Sequence, residues 1–272
     1  MKKLILTAAL ASSIVFANAQ EMMSKKGTPI LPEAGDWSIG FQADPLIRYF
    51  GNLFSQAGNN NSALAPQVPN TLVGLYVVDA NTAYRAKLRL GFGSTKQDEL
   101  TSSDATAGAF VTDTKKSSDM NITLGAGIQK SRGKGRLHGI YGAEAAIMIG
   151  SSKDTYTYGN AISSTNQSPT SHNFGGNLSG AGRATEIKNG STFGFGLDGF
   201  IGAEYFFAPK MSLSAEYAWG LNLSSTGEGS STTEAWDATA NAVKVTTTKT
   251  GKSSSFGVDV VNAGSITFHL YF

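Results

Sequence analysis

Apolar and polar side chains alternate along eight segments of this chain, and the alternation predicts its secondary structure. Every second residue in these segments is apolar, which is the period of a β-strand whose two faces meet different surroundings. The predicted strands cover residues 36–43, 70–78, 84–92, 118–130, 136–150, 191–206, 211–224 and a last segment that runs to the terminus. The pattern therefore predicts an all-β protein.

The third segment raises the question of which surroundings the two faces meet. Its apolar positions from Tyr84 to Phe92 alternate with the basic side chains of Arg85, Lys87 and Arg89. A soluble sandwich would bury the apolar series and leave the basic series in water. A small membrane barrel would instead turn the apolar series to lipid and the basic series to its lumen.

Connection lengths favour the membrane arrangement. Short turns are predicted at 79–82, 132–135 and 208–210, and they alternate with long polar connections at 44–69, 97–117, 151–190 and 225–253. Outer-membrane barrels sort short periplasmic turns and long extracellular loops in this way, whereas a secreted β-sandwich has no reason to do so. We therefore expect a closed antiparallel eight-stranded transmembrane β-barrel, or ten strands if the third long connection contains a hairpin.

The N-terminal residues have the features of a secretory signal peptide. A positively charged start precedes an apolar stretch over residues 4–16, and Ala17-Asn18-Ala19 supplies the small residues of a cleavage site. We expect residues 1–19 to be a signal peptide, residues 20–35 a periplasmic segment, and residues 36–272 the barrel in the outer membrane.

Composition narrows the possible chemistry. The chain has no cysteine, which excludes disulfides, thiolate metal sites and lipid attachment through cysteine. Its formal net charge is +2 and it has no basic stripe with interleaved aromatic residues, so no nucleic-acid partner is expected. Outside the signal segment no apolar run approaches the roughly 18 residues of a transmembrane helix. Strands are then the means of crossing a membrane.

One long connection has a helical pattern. Asp44-Pro45 is a helix-start signal, and apolar residues over 46–54 recur at helical spacing. We predict a short helix over 45–54 that caps the barrel mouth, rests at the membrane surface or docks a partner. Alternatively, the first strand continues through residue 50 with the proline at a bulge.

The C-terminal segment carries a family resemblance. Its alternate positions are apolar, at Ile266, Phe268, Leu270 and Phe272, and it resembles the insertion signal that outer-membrane barrels present to the barrel-assembly machinery. With the Gly-Asp-Trp at 35–37, the Asp-Pro at 44–45 and the stretch 77–85, the chain is similar over residues 35–272 to OmpA/OmpX-type eight-stranded barrels, particularly those of Bacteroidota. The implied partners are outer-membrane lipid, the assembly machinery and other envelope proteins of a larger complex.

Charged residues at inward positions define the first candidate site. The interior of an eight-stranded barrel is just wide enough to be filled by side chains. The inward set is expected to be Arg85, Lys87, Arg89, Glu144, Asp198, Glu204 and Glu216. Because the third and seventh of eight strands lie opposite each other, we expect basic and acidic members to pair across a plugged lumen, since unpaired buried charges cost several kcal/mol. A narrow gated ion path is the alternative.

Aromatic residues at outward positions are expected to form belts at the two membrane interfaces. The periplasmic belt contains Trp37, Tyr84, Tyr205, Phe207, Phe268 and Phe272, and the outer belt contains Phe92, Phe193 and Trp219. Because these outward faces would meet lipid, they do not make a convincing sugar-binding platform.

The sequence shows no catalytic or metal-binding constellation. His138 and His269 are predicted to face the lumen near its periplasmic end, with Glu204 close by, and His172 lies in the third long connection. A metal site needs three or four converging ligands, and a triad needs a nucleophile, a base and an orienting group. We therefore expect no cofactor and no enzyme activity, but a structural or interaction protein that acts through its loops or within an envelope complex. The alternatives are a small lipid-modifying or proteolytic outer-membrane enzyme and the gated channel.

Overall fold

The computed structural model describes residues 22–42, 71–180, 182–258 and 264–272, which contain thirteen β-strands. Eight form the main sheet: β1 (Trp37–Gln42), β2 (Leu72–Asp79), β3 (Thr82–Ser102), β4 (Phe110–Lys134), β5 (Leu137–Thr157), β8 (Thr192–Ala208), β9 (Met211–Thr226) and β13 (Ser265–Tyr271). Five lie in the connections: β6 (Leu178–Ser179), β7 (Gly182–Lys188), β10 (Gly229–Asp237), β11 (Ala242–Thr250) and β12 (Ser253–Val258). None of the described residues form a helix that could span a membrane. The signal peptide and the helix predicted over 45–54 fall outside the described residues.

The eight main strands close into an antiparallel ring. The order is β1, β2, β3, β4, β5, β8, β9 and β13, and β13 pairs with β1 to complete it. Starting at Leu213 of β9 and moving from each residue to its paired residue on the next strand, one full turn around the ring ends at Leu223 of β9. The strands are therefore staggered by ten residues. Strands in such a staggered ring tilt by about 35–45° from its axis. The all-β, antiparallel, eight-stranded prediction is confirmed at this level.

That circuit also shows which side chains lie on the outer face of the ring. Every position along it carries a large apolar side chain on the outer face: Leu213, Phe268, Phe41, Leu72, Leu88, Leu124, Ile147, Phe195 and Leu223. Residues in register lie on the same face of a sheet, so one unbroken apolar row surrounds the ring. We call the outward apolar residues of the ring the apolar belt.

Two hairpin strands extend beyond the lengths that the alternation predicted. β3 continues to Ser102 and β4 begins at Phe110, so the loop expected over 97–117 is wrong and only residues 103–109 connect the strands. These outer parts are rich in Ser, Thr, Lys and Asp on both faces. Without an apolar face they have no alternation to mark them as strands.

The connections expected at 151–190 and 225–253 are also partly strand. β5 pairs with β8 as far as Gly150 and then with β7 from Lys153, and β7 continues into β10 and β11. These strands extend the same sheet beyond the ring, and the ring itself keeps eight strands. We call the described part of 94–119, 151–189 and 228–250 the head.

Residues 22–36 close the end of the ring opposite the head. Ile30 is only 2% exposed and packs among the inward side chains of Leu75, Val77, Phe206 and Tyr271. The turn between β8 and β9 donates a backbone hydrogen bond of 3.1 Å to the Ile30 carbonyl. The segment expected only to precede the first strand is therefore part of the closed end.

Candidate functional site

The candidate site is the lumen of the ring, and Arg85 of β3 is at its centre. Its Nε donates to Glu144 Oε2 at 3.0 Å, and Nη1 and Nη2 donate to the two carboxylate oxygens of Glu216, each at 2.8 Å. Nη1 also donates to Gln129 Oε1 at 3.2 Å, and the guanidinium lies 4.6 Å from the centroid of the Phe200 ring. Since β3 and β9 are opposite each other in the ring, this network spans the lumen.

Lys87 joins the network through Glu144, whose Oε1 lies 2.5 Å from the Lys87 Nζ. Two glycines of β4 make this contact possible. A Cβ on Gly127 would lie 3.1 Å from the Glu144 Cβ, and a Cβ on Gly125 would lie 3.2 Å from the Glu144 Oε1. Side chains from β3 and β5 can therefore meet across the strand between them.

The structure brings together four of the seven predicted lumen charges, namely Arg85, Lys87, Glu144 and Glu216. The other three are not ion-paired in the described residues. Arg89 has no hydrogen-bond partner there, and the Oδ1 atom of Asp198 is buried without one.

Glu204 lies nearer the closed end and is bonded to hydroxyl groups. Ser212 Oγ and Tyr271 Oη both donate to its Oε1, the second at 2.7 Å. Glu204 is opposite His138 in the β5–β8 register, but the His138 Nε2 lies 3.1 Å from the Gly135 carbonyl oxygen. The expected proximity therefore produces no carboxylate–imidazole hydrogen bond.

His269 is the histidine whose contacts most resemble those of a catalytic base. Its Nε2 lies 3.3 Å from Ser214 Oγ, and its Nδ1 lies 3.1 Å from Ser38 Oγ. All three residues are at most 2% exposed, so no substrate can reach the serines in this arrangement. A carboxylate is also missing from the orienting position at Nδ1.

No metal site emerges from these groups. Within the described residues no three His, Asp or Glu side chains converge on a common point. His172 lies in the head, where its backbone nitrogen donates to Asp113 at 2.7 Å.

The lumen widens on the head side of the Arg85 network into a cavity of about 820 Å³. Its wall carries the charged side chains Arg89 and Asp119. Most of the remaining lining consists of hydroxyl, amide and glycine groups, among them Asn121, Ser152, Asn189, Thr192, Asn222, Ser224 and Thr226. The lumen is thus a polar cup with an ionic floor and an apolar closed end beneath it.

The head is held by buried polar contacts. Asp113 of β4 is fully buried and accepts hydrogen bonds from the backbone nitrogens of Gly159 (2.8 Å) and His172 (2.7 Å). Arg183 of β7 donates to Ser171 Oγ at 2.9 Å. These contacts fix the connection after β5 against the extended β3–β4 hairpin, so this long loop has a defined fold.

The residues of both expected aromatic belts lie on the outer face of the ring. Seven of them are between 42% and 70% exposed: Trp37, Tyr84, Tyr205, Phe207, Phe92, Phe193 and Trp219. The outward residues of β13 are those of the expected insertion signal: Ile266, Phe268, Leu270 and, just beyond the strand, Phe272. A soluble protein usually buries its large apolar side chains and exposes its charges. The ring instead has large apolar side chains outside and buried ionic groups inside.

Three contributors to the lumen were not among the predicted site residues: Gln129, Phe200 and Ile30. A signal existed for Phe200, because it is a large aromatic residue at an inward position of β8, where most inward neighbours are glycine or charged. Gln129 occupies an inward-facing position of β4 but carries no charge. Ile30 lies in a stretch with no periodicity to predict its contacts.

Comparison of the sequence with known proteins gives no family assignment. No protein-family model matches the chain, and no curated protein matches it either. The functional conclusion therefore rests on the geometry of the ring and its lumen.

Proposed function

We propose that this protein is a non-enzymatic β-barrel of the OmpA/OmpX type in a bacterial outer membrane, with a plugged lumen and a head that meets partners outside. The observation that carries the proposal is the polarity of the ring. Large apolar side chains such as Leu124 (45% exposed) and Phe92 (70%) face outward, whereas Arg85 (5%) and Glu144 (3%) are buried inside. Apolar surface is stabilised by removal from water at about 25 cal/mol per Å², and lipid around the belt would supply that burial.

The closed ring supports the same proposal. In hydrocarbon every backbone donor and acceptor must be satisfied within the protein, and a ring without free edges meets this requirement. The pairing of β13 with β1 removes the two edges that an open sheet would leave.

The lumen contacts support a plugged barrel over a channel. The Arg85 network joins β3, β4, β5 and β9 across the interior, and the Ile30 cluster fills the closed end. An ion would have to displace both layers. The head offers a folded surface at the other end, which suits an interaction protein or a subunit of an envelope complex.

The first test is insertion into lipid vesicles. Leu124→Arg puts a charge in the middle of the belt and should lower stability in the bilayer by about 2–4 kcal/mol. Leu100→Arg is the matched control, because Leu100 is an outward leucine of the head (70% exposed). The measurement is the inserted fraction, read by flotation and protease protection. Equal insertion of the two variants, or a native chain that stays soluble and monomeric without lipid, would contradict the proposal.

The second test is conductance of the inserted native protein. A plugged lumen should give no steady, well-resolved single-channel current in planar bilayers. Regular unitary currents that change size in Glu216→Gln would favour the gated channel instead.

A further inference from the structure

The outward faces of β3, β4 and β5 repeat one pattern where the apolar belt ends on the head side. Each strand presents an apolar residue, then a serine and then a lysine at successive outward positions: Phe92, Ser94 and Lys96 on β3; Met120, Ser118 and Lys116 on β4; Ile149, Ser151 and Lys153 on β5. Each lysine is thus four residues beyond the belt, about 13 Å along a strand that rises roughly 3.3 Å per residue.

The register places these lysines in directly opposed pairs. Lys96 is opposite Lys116 in the β3–β4 ladder, and Lys153 is opposite Lys188 in the β5–β7 ladder. Like charges directly opposite each other destabilise a sheet. Two such pairs on one face therefore indicate a requirement other than the stability of the sheet.

Acidic neighbours neutralise only half of this surface. Lys96 Nζ lies 2.7 Å from Asp98, and Lys153 Nζ lies 2.6 Å from Glu186. Lys116 and Lys188 have exposed side chains without an ion pair in the described residues. The face keeps two uncompensated ammonium groups beside the belt.

The opposite end of the ring has no comparable surface. There the outward Lys130 donates to Thr82 Oγ1 at 2.7 Å, and the Lys210 ammonium is bonded to the Asp36 carboxylate. Exposed cations occur at that end too, such as Lys25, Lys26 and Lys130, but Lys130 is opposite Thr82 and Tyr141 rather than another lysine. In the described residues, directly opposed lysine pairs therefore occur on the head side alone, which matches a ligand present in one leaflet only.

We propose that Lys96, Lys116, Lys153 and Lys188 form a lysine surface that binds the phosphate groups of glycolipids in the outer leaflet. The inference rests on the proposed function, which places the apolar belt in hydrocarbon. Headgroup phosphates lie just outside that layer, and a lysine ammonium on its flexible stem can reach back toward them. Ser94 and Ser151 add hydroxyl groups at the intervening height, whereas the Ser118 hydroxyl donates to the Lys153 carbonyl oxygen at 3.3 Å. A protein partner fits less well, because protein interfaces centre on aromatic anchors and this surface has none among its serines and lysines.

The test is retention of lipid A by the purified, folded barrel. Native mass spectrometry would compare bis-phosphorylated lipid A with its dephosphorylated form, using native protein, Lys116→Gln/Lys188→Gln and the control Lys25→Gln/Lys26→Gln. The control removes two exposed lysines near the closed end. Each lysine near an anionic surface contributes on the order of 1 kcal/mol, so the first variant should lose about ten-fold or more of its affinity for the phosphorylated form. The control should lose none.

Two outcomes would overturn the lysine surface. One is equal retention of the phosphorylated and dephosphorylated forms by native protein, and the other is equal loss in the two double variants. Flotation of the same samples with phosphatidylcholine vesicles reports insertion independently of phosphate. A barrel that floats but shows no phosphate preference contradicts only the lysine surface, whereas one that does not float contradicts the proposed function as well.

Discussion

Arg85 shows why single residues matter in this lumen. Its guanidinium is 3% exposed at the side chain, and it is satisfied by two carboxylates, one amide and an aromatic ring. A buried ion pair adds little over an apolar replacement of both partners, but removal of one partner strands a charge in a medium that solvates it poorly. The contact with Glu216 is also bidentate, which fixes the orientation of the guanidinium plane.

Glu216→Gln should therefore lower the free energy of unfolding by roughly 3–5 kcal/mol, because it leaves the Arg85 charge only partly compensated. The measurement is urea unfolding of the lipid-inserted protein. Asp98→Asn is the control, because it removes an exposed ion pair with Lys96 and should leave stability unchanged within error. Equal destabilisation by the two variants would mean that the buried network contributes no more to stability than an exposed ion pair does.

Asp104 in the head gives a prediction about pH. Its Oδ2 accepts hydrogen bonds from the Asn166 side chain and the Thr170 backbone nitrogen, both at 2.8 Å. These hydrogen bonds hold the pKa of Asp104 below its ordinary value of 3.8, and the one from Asn166 has the largest effect, followed by those from Thr170. Because the folded pKa is the lower one, the contribution to head stability is complete above pH 3.8 and is lost as the pH falls through the folded pKa.

NMR can follow this titration through the Thr170 amide. Its chemical shift should change with a midpoint below pH 3.8, and Asp104→Asn should abolish the change. A midpoint at or above 3.8 in the native protein would show that these hydrogen bonds do not favour the ionised carboxylate.

The sequence predicted which side of its strand each lumen charge occupies, but not which charges pair. The side follows from a period of two, so Arg85, Glu144 and Glu216 could all be placed inward. Pairing depends on side-chain reach across intervening strands, and that reach depends on gaps such as the one at Gly127. Such gaps become visible only once the register is known.

At the scale of elements, strand prediction succeeded where the two faces of a strand meet different media. β5 and β9 were placed within a few residues at their first residues, on the closed side, because short turns precede them there. The outer parts of β3 and β4, and all of β11, meet polar surroundings on both faces, so no alternation develops and their lengths were missed. Residues 22–36, the plug of the closed end, were missed because they show no alternation, although Ile30, Met22 and Leu31 all pack against the ring.

Ile30→Ala tests the plug as an element. Deleting a buried isoleucine side chain costs about 2–5 kcal/mol, and the loss should fall locally on residues 22–36. Trypsin that has access to the closed end should then cleave after Lys25 and Lys26 faster in Ile30→Ala than in native protein. Met23→Ala is the control, since Met23 is 48% exposed. Unchanged cleavage in Ile30→Ala would show that the segment is held by its backbone hydrogen bonds instead.

At the scale of the whole molecule, the described layers give the lumen two unlike ends. An apolar cluster closes one end, the Arg85 network crosses the middle, and a polar cup of about 820 Å³ lies on the head side. In the proposed membrane orientation, water reaches the cup from outside and stops at the ionic floor. In that orientation the lumen is open on the head side and closed at the other end.

Cysteine labelling can test this one-sidedness cleanly, because the chain contains no cysteine of its own. Asn222→Cys lies in the cup wall, Ser214→Cys lies below the Arg85 network at 1% exposure, and Met23→Cys lies outside the closed end. A membrane-impermeant maleimide added to intact cells should label Asn222→Cys and neither of the others. Met23→Cys should become reactive once the outer membrane is permeabilised, whereas Ser214→Cys should react only after unfolding. Labelling of Ser214→Cys in the folded protein would mean that water crosses the ionic layer, because a maleimide needs a solvated thiolate, and the plugged-lumen account would then be wrong.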